Sequence, residues 1–395
     1  MKKQFLKFFG ILFLASGLLA SCSSDDGNNG SNDDDQGQGQ VINPADFKGD
    51  ITDDVTLDAS KVYNLTGPVI VKAGGKLRIP AGTRIEGTAG TSSYIAVAQE
   101  GQIFVNGEAN NPVVMTSGLP NPSAGDWGGV VICGRAQSNK GIAKAEVSEL
   151  DYGWTNGDHN GESSGSINYL RIEYSGASYN SEKEFNGISF FGVGSGTVVQ
   201  YVQVHEGDDD GFEWFGGTVG ANYLVATGSG DDQFDWTEGW RGSGNYWYGK
   251  RSSNPDHGNR GIEADNSGDN HEATPTSFPT IKYLTLIGNG FGEENGSENQ
   301  AVKLRVGTKG ILDNVVLSNY HTGFDIQHDY TLSHIPEELR ATNVRFDNIQ
   351  VKAVGKNSNG EAVDVSNFYT EDNSAAGAGK GTQKPAWAHG WTVGL

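Results

Sequence analysis

An interval of 22 residues recurs through the middle of this chain and limits what it can fold into more than any single motif does. Phe190, Phe212 and Phe234 stand 22 apart, as do Tyr179, Tyr201 and Tyr223, and Trp214 is followed by Trp236 at the same interval. A unit of that length is too short for a domain, but it suits one coil of a solenoid whose short strands stack on the previous coil. Each unit carries β-branched or aromatic runs, Val198 to Val204 and Asn222 to Thr227, broken by Gly and Asp. The expected fold is all-β, with Phe190, Phe212 and Phe234 stacked as one core ladder. Strand alternation turns Trp214 and Trp236 the same way.

Composition agrees. The 58 glycines supply positive-φ corners, and 11 prolines with two methionines leave little room for a helical core. A chain of 395 residues can then be one elongated domain plus a tail, because a solenoid grows along its axis. The net charge of −21, from 49 acidic and 28 basic residues, excludes a nucleic-acid partner and suits soluble cations or a divalent metal.

Lys2, Lys3 and Lys7 precede the apolar run Phe8 to Leu19, which is too short to span a bilayer and reads as a signal peptide over residues 1–21. Leu19-Ala20-Ser21-Cys22 resembles a bacterial lipobox, which implies cleavage before Cys22, its lipidation and an outer-membrane anchor. Residues 22–40 hold no apolar side chain after Cys22 and form an acidic, disordered tether. Its acidic start also resembles the surface-export signal of Bacteroidota lipoproteins; a plain linker facing the periplasm is the alternative. Processing leaves Cys133 alone, beside Val130, Val131 and Ile132, so it is expected as a buried thiol with no disulfide.

From Pro68 to Ser117 short apolar runs alternate with polar positions between Gly and Asn corners: Val69 to Val71, Lys76 to Ile79, Ile95 to Val97, Ile103 to Val105 and Val113 to Met115. With Asp126 to Ile132 they resemble the entry coils of right-handed parallel β-helix lipoproteins of Bacteroidota, the pectin-lyase-like fold, over residues 51 to 370. The resemblance implies a right-handed parallel β-helix at 41–370, with 41–60 as an N-terminal cap. Residues 371–395 are expected to fold back on the last coil as a second cap, since open strand edges invite association. A sugar platform built from Trp387 and Trp391 is the alternative for that tail.

The candidate chemistry is acidic and in register. Gly207-Asp208-Asp209-Asp210-Gly211-Phe212-Glu213-Trp214 is followed one period later by Gly230-Asp231-Asp232-Gln233-Phe234-Asp235-Trp236. Asp209 then stacks on Asp231, Asp210 on Asp232 and Glu213 on Asp235, at the strand spacing of about 4.8 Å, where carboxylates repel unless a cation, a base or a shifted pKa relieves them. Calcium at Asp208, Asp209 and Asp231 is one expectation. Arg260, Glu263, Lys303 and Arg305 follow on later coils, and Phe324 to Gln327 repeats the pattern of Val302 to Arg305.

The order of these motifs resembles polygalacturonase-type glycoside hydrolases. That resemblance implies catalytic roles for Asp210, Asp231 and Asp232, with Asp232 as general acid, His257 loosely as the histidine, and Lys303 and Arg305 as the substrate-binding basic pair. An inverting hydrolase separates its carboxylates by roughly 6.5–9.5 Å. Acidic residues stand here where that pattern has asparagine, and the basic pair runs Lys-Leu-Arg. Structural Asp-Gly turns, solvated or calcium-bound, are the alternative reading of the same aspartates.

Phe234 to Ile262 spans 28 residues, so about six are added between Gly239 and Arg260, where Trp240, Arg241, Tyr246, Trp247 and Tyr248 cluster. Aromatics beside basic residues on a long loop make a platform for a sugar ring or a protein partner, with packing onto the coil below as the alternative. Glu213, Asp235, Lys303 and Arg305 would complete that ligand site. A second polar loop at 149–166 carries Tyr152, Trp154 and His159. No histidine or cysteine cluster has zinc spacing, and calcium is the sole cofactor expected. The functional expectation is a surface lipoprotein binding an extracellular glycan beside an outer-membrane transporter. A polysaccharide hydrolase or lyase is the first alternative, and an adhesin for a protein partner the second.

Overall fold

A computed structural model describes residues 40–180, 183–254, 257–291 and 298–395. The expected signal peptide, Cys22 and the tether as far as residue 39 lie outside these residues. Among the described residues, 25 strands form one continuous sheet, paired in parallel except near its C-terminal end. The chain is a right-handed parallel β-helix, the hand that strand twist imposes on parallel crossovers. No helix among the described residues is long and apolar enough to cross a membrane.

Two sets of strands recur along the axis. The longer set runs Gly165–Glu173, Val198–His205, Ala221–Thr227, Ser243–Lys250, Thr280–Ile287, Gly310–Ser318 and Leu339–Asp347, each hydrogen-bonded to the next. Each bends at one residue with φ between 51° and 61°: Tyr169, Tyr201, Tyr223, Tyr246, Tyr283, Asn314 and Asn343. The bend resets the alternation of faces, so Val202, Leu224 and Trp247, one residue later, all point into the core. The shorter set, Trp127–Cys133, Ile188–Phe191, Phe212–Phe215, Phe234–Thr237, Ile262–Ala264, Gln300–Leu304 and Thr322–Gln327, stacks beside it.

The register confirms part of the expected ladder and corrects the rest. Phe212 lies opposite Phe234 and Trp214 opposite Trp236, all fully buried. Phe190 does not continue the phenylalanine column. Its coil is 24 residues long, so it pairs with Trp214, and their rings stack at 5.6 Å. Tyr179 is likewise absent from the tyrosine column. Its rung is taken by Tyr169, stacked on Tyr201 at 4.3 Å, while Tyr179 sits 39% exposed against Phe185. Cys133 is buried, and burial pushes its thiol up to about 12, as expected of an inert sulfur.

At the C-terminal end Ala362–Val363 folds back antiparallel onto Val351–Lys356, which blunts the open edge. The tail beyond residue 371 runs back along the flank of the longer strands. Ala378 N–H donates to Thr285 Oγ1, Tyr248 donates to Thr382 O, and Trp391 packs edge-on against Tyr169 and Tyr201. Trp391 is fully buried there, which removes it from any exposed sugar platform.

Truncating a ring in the stacked core leaves a cavity that neighbouring coils cannot collapse into. Phe234→Ala is expected to cost about 3–5 kcal/mol, read as a lowered urea midpoint, whereas Val198→Ala at a 40% exposed site is expected to stay within about 0.5 kcal/mol.

Candidate functional site

The shorter strands alternate like any others, so the residue between two core positions faces outward. Those outward residues stack as Ser189, Glu213, Asp235, Glu263, Lys303 and Asp325, one per coil. The corner entering each strand forms a second column, because Gly187, Gly211, Gln233 and Gly261 donate to the carbonyls of Asp210, Asp232, Arg260 and Gln300 in turn. Asn186, Asp210, Asp232 and Arg260 therefore occupy equivalent positions. Gly211 is required there, since a Cβ would come within 2.7 Å of Gln233 O.

Along this corner each aspartate caps the next coil. Asp210 Oδ1 accepts from Asp232 N–H at 2.9 Å, and Asp232 Oδ1 accepts from Arg260 N–H at 3.0 Å. The Arg260 guanidinium reaches Asp232 Oδ2 at 3.4 Å, Glu263 Oε1 at 3.2 Å and Glu298. Glu263 also pairs with Lys303 at 3.3 Å and Arg305 at 2.7 Å, and Arg305 holds Asp265 at 2.9 Å. At one end of the column three cations thus pair with four carboxylates.

At the other end, among the described residues, no Lys or Arg pairs with Asp209, Asp210, Glu213 or Asp235; Glu213 accepts from Asn186 Nδ2 at 2.6 Å. Burial, and then mutual repulsion, holds Asp210, Glu213 and Asp235 well above the usual carboxylate range. Burial and the neighbouring Asp231 push Asp209 from 3.8 to about 8. Carboxylate oxygens of Asp209, Asp210 and Asp231 lie within 4.8 Å of one another, as do those of Asp210, Glu213 and Asp235 and those of Asp232, Asp235 and Glu263. The buried Asn186 Oδ1 has no hydrogen-bond partner. Hard oxygen donors at this density suit a proton or a calcium-like cation.

Several expected site residues sit elsewhere. Asp208 is exposed and apart from these clusters, so the metal group contracts to Asp209 and Asp231 with Asp210. Asp210 and Asp232 are only 6% and 1% exposed, and Asp210 and Asp231 bring carboxylate oxygens within 4.8 Å of each other, closer than the roughly 6.5–9.5 Å that admits an attacking water. Asp232, held by Arg260, is poorly placed as a general acid. His257 turns its Nε2 to the carbonyls of Gly207 and Gly228, away from the column.

The aromatic platform at 239–260 is overturned. Trp240 and Trp247 are core residues, stacked on Trp214 at 4.7 and 5.0 Å, and Tyr248 is buried beneath the C-terminal tail, because 243–250 is a strand and five of the six added residues fall after it. Tyr246 joins the tyrosine column, and the half-buried Arg241 buries Nε and Nη2 without partners. Tyr152 is buried too, donating to Glu238 at 2.5 Å. Lys303 and Arg305 do belong to the column. Asn186, Asp265 and Glu298 were missed; Asn186-Gly187-Ile188 stands one coil before Asp210-Gly211-Phe212, and that parallel could have revealed it.

A family model described as a pectate-lyase-like beta helix domain matches residues 49–392. No curated protein and no solved structure matches the chain.

A carboxyl group whose folded pKa is raised favours the folded state most below its unfolded pKa, and that contribution is lost as pH rises through the folded value. In chelator, the melting temperature is expected to fall between pH 4 and pH 8, the window set by the rise of Asp209 from 3.8 to about 8. Added Ca²⁺ is expected to restore it at pH 8. A melting temperature that rises over this window in chelator, or ignores Ca²⁺, contradicts the uncompensated cluster.

Proposed function

The chain belongs to the pectate-lyase-like β-helix family, and from that premise we propose that it binds an acidic polysaccharide along the charged column, with a divalent cation held at the column's uncompensated end. The observation that carries this reading is the column's polarity: Asp209, Asp210, Glu213 and Asp235 with no paired Lys or Arg among the described residues, and Arg260, Lys303 and Arg305 gathered around Glu263. A uronate carboxylate would complete the coordination of the cation at one end and meet Lys303 and Arg305 at the other. On a chain of net charge −21 such a ligand is repelled unless a cation intervenes, so binding is cation-dependent. The lipobox-like Leu19 to Cys22 would hold this site at the outer-membrane surface, where an uptake transporter is the natural neighbour.

A second reading, cleavage of the same polysaccharide, is favoured by the family. The buried, ion-paired Asp232 argues against acid-assisted hydrolysis and leaves elimination next to a uronate as the chemistry to test. The adhesin alternative loses its support with the aromatic platform, whose tryptophans are core.

Polygalacturonate titrated into the full chain is expected to bind in Ca²⁺ and not in chelator. Glu213→Gln combined with Asp235→Asn is expected to weaken binding at least tenfold, and Arg305→Ala to weaken it while cation dependence remains. Affinity that is equal in chelator, or intact in the double variant, overturns the assignment. Unsaturated ends accumulating in the same samples would establish the second reading.

A further inference from the structure

A different face of the β-helix carries a second strip with the opposite electrostatic character. At the bend of the longer strands the rings of Tyr169, Tyr201, Tyr223, Tyr246 and Tyr283 stack in one pile, with centroids 4.3, 4.4, 5.0 and 4.6 Å apart and planes within 7° of parallel. Each of these tyrosines sits at positive φ, a conformation that L residues with large side chains avoid. The next two coils make the same bend with Asn314 and Asn343, residues that tolerate it readily. The bend alone is therefore served by asparagine, and tyrosine is present on five coils for its side chain.

One residue before the first four of these bends lies an outward-facing amide. Asn168, Gln200, Asn222 and Asn245 stack in register, and Asn245 Nδ2 donates to Asn222 Oδ1 at 2.8 Å. Beside them runs a groove of about 270 Å³ whose lining includes the exposed Val198 and the hydroxyls of Ser195 and Ser243. On the opposite side of the tyrosine pile the C-terminal tail forms a wall. Trp391 meets the edges of Tyr169 and Tyr201 and Trp387 that of Tyr223. The tail passes the coils of Tyr246 and Tyr283 as well, held at Tyr248, Thr285 and Asn314, but among the described tryptophans none meets these two rings.

The amide column carries no ionisable side chain until Lys282 and Asp313 take its place on later coils. On a chain of net charge −21, a strip with neither fixed charge nor ion pairs offers an anionic ligand no counter-charge. Amides, tyrosyl edges and hydroxyls repeating once per coil offer alternating donors and acceptors at the spacing of stacked strands, about 4.8 Å. That repeat matches the length of one pyranose unit in an extended chain.

We propose that this amide and tyrosine strip is a binding track for an uncharged, extended polysaccharide lying along the solenoid axis, independent of the acidic column and of any cation. Cellopentaose and xylopentaose, titrated into the full chain in chelator, are the probes. At least one is expected to bind, and Gln200→Ala combined with Asn222→Ala is expected to weaken it at least tenfold with an unchanged melting temperature. Asn222→Asp, which keeps the shape of the side chain and adds a charge, is expected to have the same effect. Glu213→Gln is expected to leave this binding unchanged, which separates the track from the acidic column. Failure of both pentasaccharides to bind, or equal affinity in the Gln200 and Asn222 variants, overturns the proposal.

Discussion

In-register parallel pairing makes every side chain of this molecule meet the side chain at the same position one coil away, about 4.8 Å distant. For apolar and aromatic residues the arrangement is favourable. Phe212 on Phe234 and Trp214 on Trp236 bury whole rings, each contributing on the order of 1.5–3 kcal/mol, and the stacked tyrosines gain ring contact that offsets the strain of their bends. For carboxylates the same geometry is costly, because like charges are stacked in a partly buried column. The fold can carry Glu213, Asp235 and Glu263 on successive coils only if the charge is removed or balanced.

Both solutions occur within one column. Around Glu263 the balance is built into the chain, through Arg260, Lys303 and Arg305. At Asp209, Asp210, Glu213 and Asp235 it is left to protons or to an ion from solution, which is why burial and repulsion raise their pKa values together. An acidic end that needs a cation and a basic end already anchored by Glu263 make a polar site able to orient a charged chain. Rigid coils below and a pinned tail at the flank leave the site little freedom to rearrange.

The apolar and acidic columns were legible in the sequence wherever coil length stayed at 22, as from Phe212 to Phe234 and from Val302 to Phe324. Two residues are added between Phe190 and Trp214, and there the 22-residue period no longer gives the register, since a repeat shows its period but not the corner that absorbs an insertion. The cluster at Trp240 to Tyr248 was misread for a related reason. Six added residues could lie before or after the strand, and composition alone favoured an exposed loop. The phase of Tyr201-Val202 and Tyr223-Leu224, repeated at Tyr246-Trp247, carried the information that Trp247 points inward. Ion pairing was harder to read, because which oxygen of Glu263 meets Lys303 or Arg305 depends on lateral distances that stacking order does not encode.

The uncompensated carboxylates either hold a cation or stay protonated. Diffraction from crystals of the protein grown with Mn²⁺, an ion that accepts carboxylate and carbonyl oxygens as Ca²⁺ does, tests this through the metal's anomalous signal. The expected result is a peak among Asp209, Asp210, Asp231, Glu213 and Asp235, lost in the Glu213→Gln and Asp235→Asn double variant. A map with no peak there, at Mn²⁺ concentrations that fill other sites, would contradict it and leave the column as a stack of protonated acids.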